Sequence, residues 1–290
     1  MKQRPFFTVI IPVYNRAGTI ARAIESVQQQ QFSSWELIIV DDGSVDNTLE
    51  VVAPYLSDER INYIDQENKE RSAARNKGIE NATGEYICFL DSDDVYYPNH
   101  LREFHNALGS SQQVVFARSF ADIVLNGKKN TQDVNFPGKL HPVNYILSSV
   151  IYLCNVCIHA DILKKHKFNE AISYAEDTDL WVRILLDHPI LVINKITTQI
   201  NVASTGSKSE IHEKYISSFQ LIFSNPQVRR LVSTALINSY FVRRYNWLIE
   251  ERLLQGEKGK AFSSLIKLAG IQPAIIFKKQ FYGWIYKLIF

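Results

Sequence analysis

Disulfide chemistry is the first thing this chain excludes. Its 290 residues hold three cysteines, Cys88, Cys154 and Cys157, too few for a stapled extracellular framework. Cys154-Asn155-Val156-Cys157 has the CxxC spacing of zinc and redox sites, yet no second CxxC and no matching His pair accompanies it. Residues 150–158 read as a strand, whose alternation would send the two sulfurs to opposite faces. Buried apolar cysteines are therefore the expectation. Glycine-rich phosphate loops are missing too. Neither G-x-G-x-x-G nor G-x-x-x-x-G-K-[ST] follows the first apolar run, which argues against a dinucleotide-dependent dehydrogenase and a P-loop NTPase. The stretch nearest to a transmembrane segment, residues 145–163, is interrupted by Asn155, His159 and Asp161, so no span is expected there. No charged-then-apolar leader opens the sequence, and a cytoplasmic location is expected. Low-complexity tracts and internal repeats are absent, and 46% hydrophobic with 21% charged residues is a globular balance. That length suits one large domain with an appendage, or two small ones.

What the chain does have is carboxylates at the ends of apolar runs. Tyr86-Ile87-Cys88-Phe89-Leu90 reads as a buried strand and leads straight into Asp91-Ser92-Asp93-Asp94. Packing gives no reason to crowd like charges, because each raises the cost of ionising the next. A hard divalent cation, Mg²⁺ or Mn²⁺, does give one: it takes oxygen ligands and completes its shell with phosphate oxygens. An Asp-rich turn or N-cap is the plainer alternative. A second run, Trp35-Glu36-Leu37-Ile38-Ile39-Val40, ends in Asp41-Asp42-Gly43-Ser44, and a first, residues 7–13, ends in Tyr14-Asn15-Arg16. Helical patterns lie around 19–30, 46–56 and 72–82. Strands alternating with helices predict a parallel βαβ sheet. Its right-handed crossovers put every strand's carboxyl end on one edge, where α/β folds place ligands. Asp42, Asp91 and Asp93 would then face one crevice.

Five blocks of this chain, in order, resemble the family-2 glycosyltransferases of GT-A fold. They are Val9-Ile10-Ile11-Pro12-Val13-Tyr14-Asn15-Arg16; Ile39-Val40-Asp41-Asp42-Gly43-Ser44; Ala73-Ala74-Arg75-Asn76-Lys77-Gly78 with Ala82-Thr83-Gly84-Glu85-Tyr86; Phe89-Leu90-Asp91-Ser92-Asp93-Asp94; and Ala175-Glu176-Asp177-Thr178-Asp179-Leu180-Trp181. The likeness covers roughly residues 6–205. It implies an α/β GT-A fold: a mixed, mainly parallel sheet flanked by helices. The catalytic domain would span 1–206, with 1–95 as the nucleotide-binding half and 96–206 as the acceptor half. A basic helical C-terminal extension, 207–290, would follow.

The resemblance also implies roles. Pro12, Tyr14, Asn15, Asp42, Arg75, Asp91 and Ser92 would hold the nucleotide, with Asp42 on the base and Asp91 at the ribose. Asp93, with Asp91, would take the metal that stabilises charge on the leaving diphosphate. Asp177 would be the base that removes the acceptor's proton with inversion, and Glu176 would orient the acceptor or the loop. Acidic residues at a helix start also complement its dipole, which is the alternative for this pair. Asp179 would be a helix-surface or secondary residue. Many relatives carry a His after this helix that contacts metal or diphosphate; residues 198–205 here contain none, leaving Asn201, water or a C-terminal residue as substitutes. Lys69-Glu70-Arg71 also stands where a glycine-containing turn is usual.

The net charge of +2 hides a split. Residues 211–290 hold 12 Lys+Arg and 4 Asp+Glu, leaving 20 and 26 in residues 1–210. The basic tail reads as helices near 213–223, 227–254, 258–268 and 273–289. Its last segment mixes lysines with aromatic and aliphatic residues, which suits a membrane surface, packing on the catalytic domain, or a homo-oligomer contact. No nucleic-acid-binding module is visible. The implied activity is metal-dependent inverting transfer from a nucleotide-sugar donor, such as a UDP-hexose, to a glycan or lipid-linked acceptor. Bacterial surface-polysaccharide synthesis, peripheral to the cytoplasmic membrane face, is the implied setting. A nucleotide-sugar-binding module without turnover and a nucleotide-sugar-forming nucleotidyltransferase remain the alternatives.

Overall fold

The apolar runs pair as their patterning requires. β1 (Phe7–Val13), β2 (Trp35–Asp41), β3 (Ile61–Asp65) and β4 (Tyr86–Phe89) lie parallel in the order β3-β2-β1-β4. This computed structural model describes residues 4–109, 115–132, 140–202 and 209–289. β1, β2 and β4 are buried almost throughout, because helices cover both faces of a parallel sheet. The crossovers are α1 (Ile20–Gln28), α2 (Thr48–Val52, continued as a 3₁₀ turn) and α3 (Glu70–Asn81). Gly78 lets α3 lie close against β1: a Cβ there would sit 2.5 Å from Ile10 Cγ2.

Past β4 the sheet becomes mixed. β5 (Val95–Tyr96) and α4 (His100–Gly109) precede the long β6 (Phe116–Leu125) and its hairpin partner β7 (Lys128–Thr131). Next come α5 (Pro142–Ser148), β8 (Val156–His159), α6 (Ala160–Lys165), α7 (Glu176–Leu185) and β9 (Leu191–Val202). β8 runs antiparallel to β4 and β6, while β9 runs parallel to β6. The mixed, mainly parallel sheet with flanking helices is thus as the sequence predicts.

The CxxC segment is a correction. Residues 153–155 form a 3₁₀ turn and only 156–159 are strand. The turn resets the alternation, so Cys154 and Cys157 join Cys88 in one hydrophobic cluster instead of facing apart. All three are free and buried.

The chain forms two compact units, Met1–Ala171 with Glu176–Ser204, and Ile172–Ala175 with Thr205–Phe290. The expected boundary at 206 lies outside the described residues. The second unit is helical: α8 (Ser209–Ser224), α9 (Pro226–Leu231), α10 (Thr234–Leu254), α11 (Lys258–Ile271), a 3₁₀ turn at Pro273–Phe277, and α12 (Lys279–Ile289). The single helix expected over 227–254 is two. Ser233 interrupts it and caps α10, accepting a hydrogen bond from Leu236 N–H. The expected 273–289 helix likewise splits between the 3₁₀ turn and α12.

Candidate active site

Three strand ends build the site. After β1 the chain turns through Asn15, held at φ 51°, a left-handed conformation that Asn tolerates better than most residues. Its Oδ1 accepts from Val45 N–H at 2.8 Å, while Ser44 Oγ accepts from Asn15 N–H at 2.9 Å. Asn15 therefore ties the β1 turn to the β2 turn. The adjacent carboxylates at the end of β2 separate by task. Asp41 accepts from Ser44 N–H at 2.7 Å and from the Tyr63 hydroxyl at 2.5 Å, which fixes the turn. Asp42 faces the crevice. Its Oδ1 accepts from Gln66 Nε2 at 2.7 Å and from Lys69 N–H at 2.9 Å, so the carboxylate is aimed from behind. Gly43 takes φ 78°, and a Cβ there would stand 3.0 Å from Asn68 N.

The turn after β4 is closed by Asp94 N–H donating to Asp91 O at 3.0 Å. Two donors clamp the Asp93 carbonyl: Arg22 Nη2 at 2.8 Å and Asn201 Nδ2 at 2.7 Å. Asn201 N–H also donates to Asp94 Oδ1 at 2.9 Å, and its own Oδ1 accepts from Gln199 Nε2 at 3.0 Å. Asn201, considered above as a substitute ligand, is thus engaged with protein at both amide atoms. Burial and then the charge of Asp91 push the Asp93 carboxyl above its usual range. The same two causes push Asp94 up to about 8.

Arg75, buried on α3, joins this turn to α7. Its Nη2 donates to Asp91 Oδ1 at 2.9 Å and its Nη1 to Glu176 Oε1 at 2.8 Å. Burial opposes the charge on Arg75, but the two carboxylates outweigh it and raise its pKa. A fork-shaped donor suits this double duty; a lysine would not. Asp177 follows Glu176 at the start of α7, after Ala175 at φ 59°. Its Oδ1 accepts from Thr178 N–H at 2.6 Å. Burial, reinforced by the neighbouring Glu176 charge, lifts the Asp177 carboxyl to about 6. Asp179 is buried and pairs with Arg183 at 2.9 Å; the surface alternative for it is corrected, because this face of α7 packs inward.

A crevice of about 310 Å³ gathers Pro12, Tyr14, Asp42, Arg75, Asp91, Ser92 and Asp93. Asn15, Glu176 and Asp177 are not in its lining; Glu176 connects to it through Arg75, and Asp177 is the next residue along α7. Sequence reasoning missed Arg16, Asn68, Glu70 and Arg71, which also line it. Glu70 has φ 71°, so the charged turn noted above puts a side chain where glycine sits more easily. Among the described residues no three His, Cys, Asp or Glu side chains converge as a metal cage. Asp91 and Asp93 nevertheless fit a hard cation: both are carboxylates lining one crevice, and the charge of Asp91 raises the cost of ionising Asp93. A divalent ion relieves that repulsion, with ligand phosphates completing its shell.

Against this geometry the comparisons are consistent. The model of glycosyl transferase family 2 matches residues 8–158. An uncharacterized glycosyltransferase of Rickettsia felis is 33% identical over 198 residues, 68% of this chain but 33% of that protein, so the chain spans about a third of that relative's length. The UDP-Glc:α-D-GlcNAc-diphosphoundecaprenol β-1,3-glucosyltransferase WfgD of Escherichia coli is 31% identical over 192 residues, 64% of this chain and 72% of WfgD. A mannosyltransferase from Pyrobaculum calidifontis, solved with GDP-Man and Mn²⁺, superposes with a TM-score of 0.64 at 16% identity, covering 99% of this chain and 85% of that one. The family match takes in the three strand ends and the crevice described above, and the chain belongs to glycosyl transferase family 2, with the GT-A fold.

Proposed function

We propose that the chain is a metal-dependent, inverting glycosyltransferase that moves a sugar from a nucleotide sugar, a UDP-hexose first, to a hydroxyl of a glycan or lipid-linked glycan. The observation that carries this reading is the Arg75 bridge, which joins Asp91 of the donor crevice to Glu176, the residue beside Asp177 on α7, by two ion pairs. Asp42 would accept from the base, with Gln66 and Lys69 N–H fixing its angle. Tyr14, half exposed at the crevice, would pack against the base, and Asp91 would meet the ribose. Asp93, with Asp91, would hold Mn²⁺ or Mg²⁺, which when bound neutralises charge growing on the leaving diphosphate. The guanidiniums of Arg16 and Arg71 stand in the same lining and suit phosphate.

Asp177 would take the acceptor hydroxyl's proton as the new C1–O bond forms and the bond to the diphosphate breaks. A carboxyl at about 6 is ionised at neutral pH yet a stronger base than a solvated Asp. Glu176 would act through Arg75 and through the Asp177 charge. Residues 1–95 would hold the nucleotide and 96–206 the acceptor. The lipid-diphosphate acceptor named for WfgD supports a bacterial surface-polysaccharide role at the cytoplasmic membrane face.

A thermal-shift panel of nucleoside diphosphates and nucleotide sugars, with and without Mn²⁺, tests this, because ligands of the native state raise its melting point. A Mn²⁺-dependent shift confined to one nucleotide family is expected, followed by transfer from that donor. No shift with any member, from folded protein, would refute the donor site.

A further inference from the structure

The end of the helical unit has a surface that ordinary solvent exposure does not explain. Residues 258–289 carry six lysines and not one Asp or Glu. The inner side of these helices is committed to a core: Leu265, Leu268, Ile275 and Trp284 are buried, with Phe281, Ile285 and Leu288 packed against them. Amphipathic packing would leave the outer side polar. Instead Phe277 is 81% exposed, Tyr282 62%, Tyr286 63% and Ile289 66%. Tyr282, Tyr286 and Ile289 follow i, i+4, i+7 spacing on α12, so they form one stripe. Lys279 sits one turn before Tyr282, and Lys278 and Lys287 are likewise exposed. On the neighbouring α11, Phe262 and Ile266, also one turn apart, are 51% and 58% exposed among Lys258, Lys260 and Lys267.

We propose that the outer face of α12, with the turn before it, docks onto an anionic lipid surface. Rings of Phe and Tyr sit at headgroup depth, while lysine stems lie along the acyl boundary and lift their ammonium groups to lipid phosphates. Each lysine near such a surface adds attraction that salt screens. The segment has no carboxylate to offer a second copy, so a self-contact would set like charge against like. No helix among the described residues is long and apolar enough to cross a membrane, so the contact lies on the bilayer. This docking goes beyond the donor site and needs no donor. It deepens the sugar-transfer reading by naming the surface on which a lipid-linked acceptor would be met.

The test is co-sedimentation of the whole chain with vesicles of phosphatidylcholine alone or mixed with phosphatidylglycerol, at low and raised salt. Binding to the mixed vesicles, released by salt, is expected. Joint replacement Lys278→Ala, Lys279→Ala and Lys287→Ala should weaken it on the order of a hundredfold. Joint replacement Phe277→Ser, Tyr282→Ser and Tyr286→Ser should weaken binding to both vesicle types. Both variants should keep the wild-type melting temperature, since the altered side chains are exposed. Wild-type protein that stays in the supernatant with mixed vesicles at low salt would overturn the proposal. So would a dimer that the aromatic replacements dissociate without altering vesicle binding. Nucleotide binding is scored separately by thermal shift, so a failure of the donor site and a failure of lipid docking are told apart.

Discussion

Asp177→Asn should make the protein a worse enzyme and a more stable one. The carboxyl is partly shielded beside Glu176, and it is lifted from 3.8 to about 6 by burial first and by the Glu176 charge second. A raised acid gives its full stability below the unfolded value and loses it as pH climbs through the folded one. Above about pH 6 the wild-type fold therefore carries a cost that asparagine avoids. At 1.36 kcal/mol per pH unit the ceiling is about 3 kcal/mol. Partial exposure and screening reduce this to about 1–2 kcal/mol. Asparagine keeps an Oδ1 to accept from Thr178 N–H, so little is lost in exchange. In a domain of this size the gain is roughly 2–8 °C in melting temperature at pH 7.5, shrinking toward zero near pH 4.

Catalysis should move the other way. Loss of a general base costs about a hundred- to ten-thousandfold in kcat. In the wild type, ionisation at about 6 makes the rate climb roughly tenfold from pH 5 to pH 7 and then level. The assays are melting curves at pH 4.5 to 8 and transfer rates over the range where the fold is intact. Near-normal transfer by the variant would refute the base assignment. A variant less stable than wild type at pH 7.5 would refute the claim that burial and Glu176 burden this carboxylate.

Glu176→Gln removes the like charge beside Asp177, so the rising limb of the rate profile should move to lower pH while the plateau falls; kcat/KM against pH reads both. Asp93→Ala should abolish the Mn²⁺-dependent part of nucleotide-sugar binding. It should leave the metal-free melting temperature unchanged or higher, because a carboxyl destabilised by burial and by Asp91 is gone; melting curves with and without Mn²⁺ check it. Gly78→Ala puts a Cβ 2.5 Å from Ile10 Cγ2, an overpacking that should cost about 1–3 kcal/mol in urea unfolding with KM unchanged.

The parallel half of the sheet was legible because β1, β2 and β4 are buried on both faces and so read as unbroken apolar runs, each followed by a polar turn. The crevice was legible for the same reason: right-handed crossovers deliver those turns to one edge. Three features escaped. The 3₁₀ turn at 153–155 resets strand alternation without a Gly or Pro to announce it, so Cys154 was assigned the wrong side. Ser233 lies inside a long helical pattern, where a serine that caps and a serine that faces solvent look alike. Asp42 was read as facing the crevice, but the work of its neighbour Asp41 was not: the Tyr63 hydroxyl, 22 residues away, and Ser44 N–H hold that carboxylate in the turn. Arg75 was found by resemblance, but its work of joining Asp91 to Glu176 spans 101 residues of sequence, beyond the reach of any local pattern.

The missing histidine after α7 bears on how a metal would be held. Asn201 stands in that segment, and its amide clamps the Asp93 carbonyl while its Oδ1 accepts from Gln199. At this position β9 thus supplies a brace on the turn that carries Asp93. Arg22 braces the same carbonyl from α1, so the turn is fixed from two sides before any cation arrives. Rigidity compensates for ligand number: a pre-set carboxylate pair loses little freedom on binding. In the proposed site, with two protein carboxylates and no converging third among the described residues, most of the shell would come from the donor's phosphates and water. Metal and donor should then bind as a unit, each weak without the other. Reciprocity requires that Mn²⁺ tighten the nucleotide by the factor by which the nucleotide tightens Mn²⁺. Titration calorimetry of each ligand, with the other absent and then saturating, measures both factors. Tight Mn²⁺ binding to the nucleotide-free protein would contradict the two-carboxylate site.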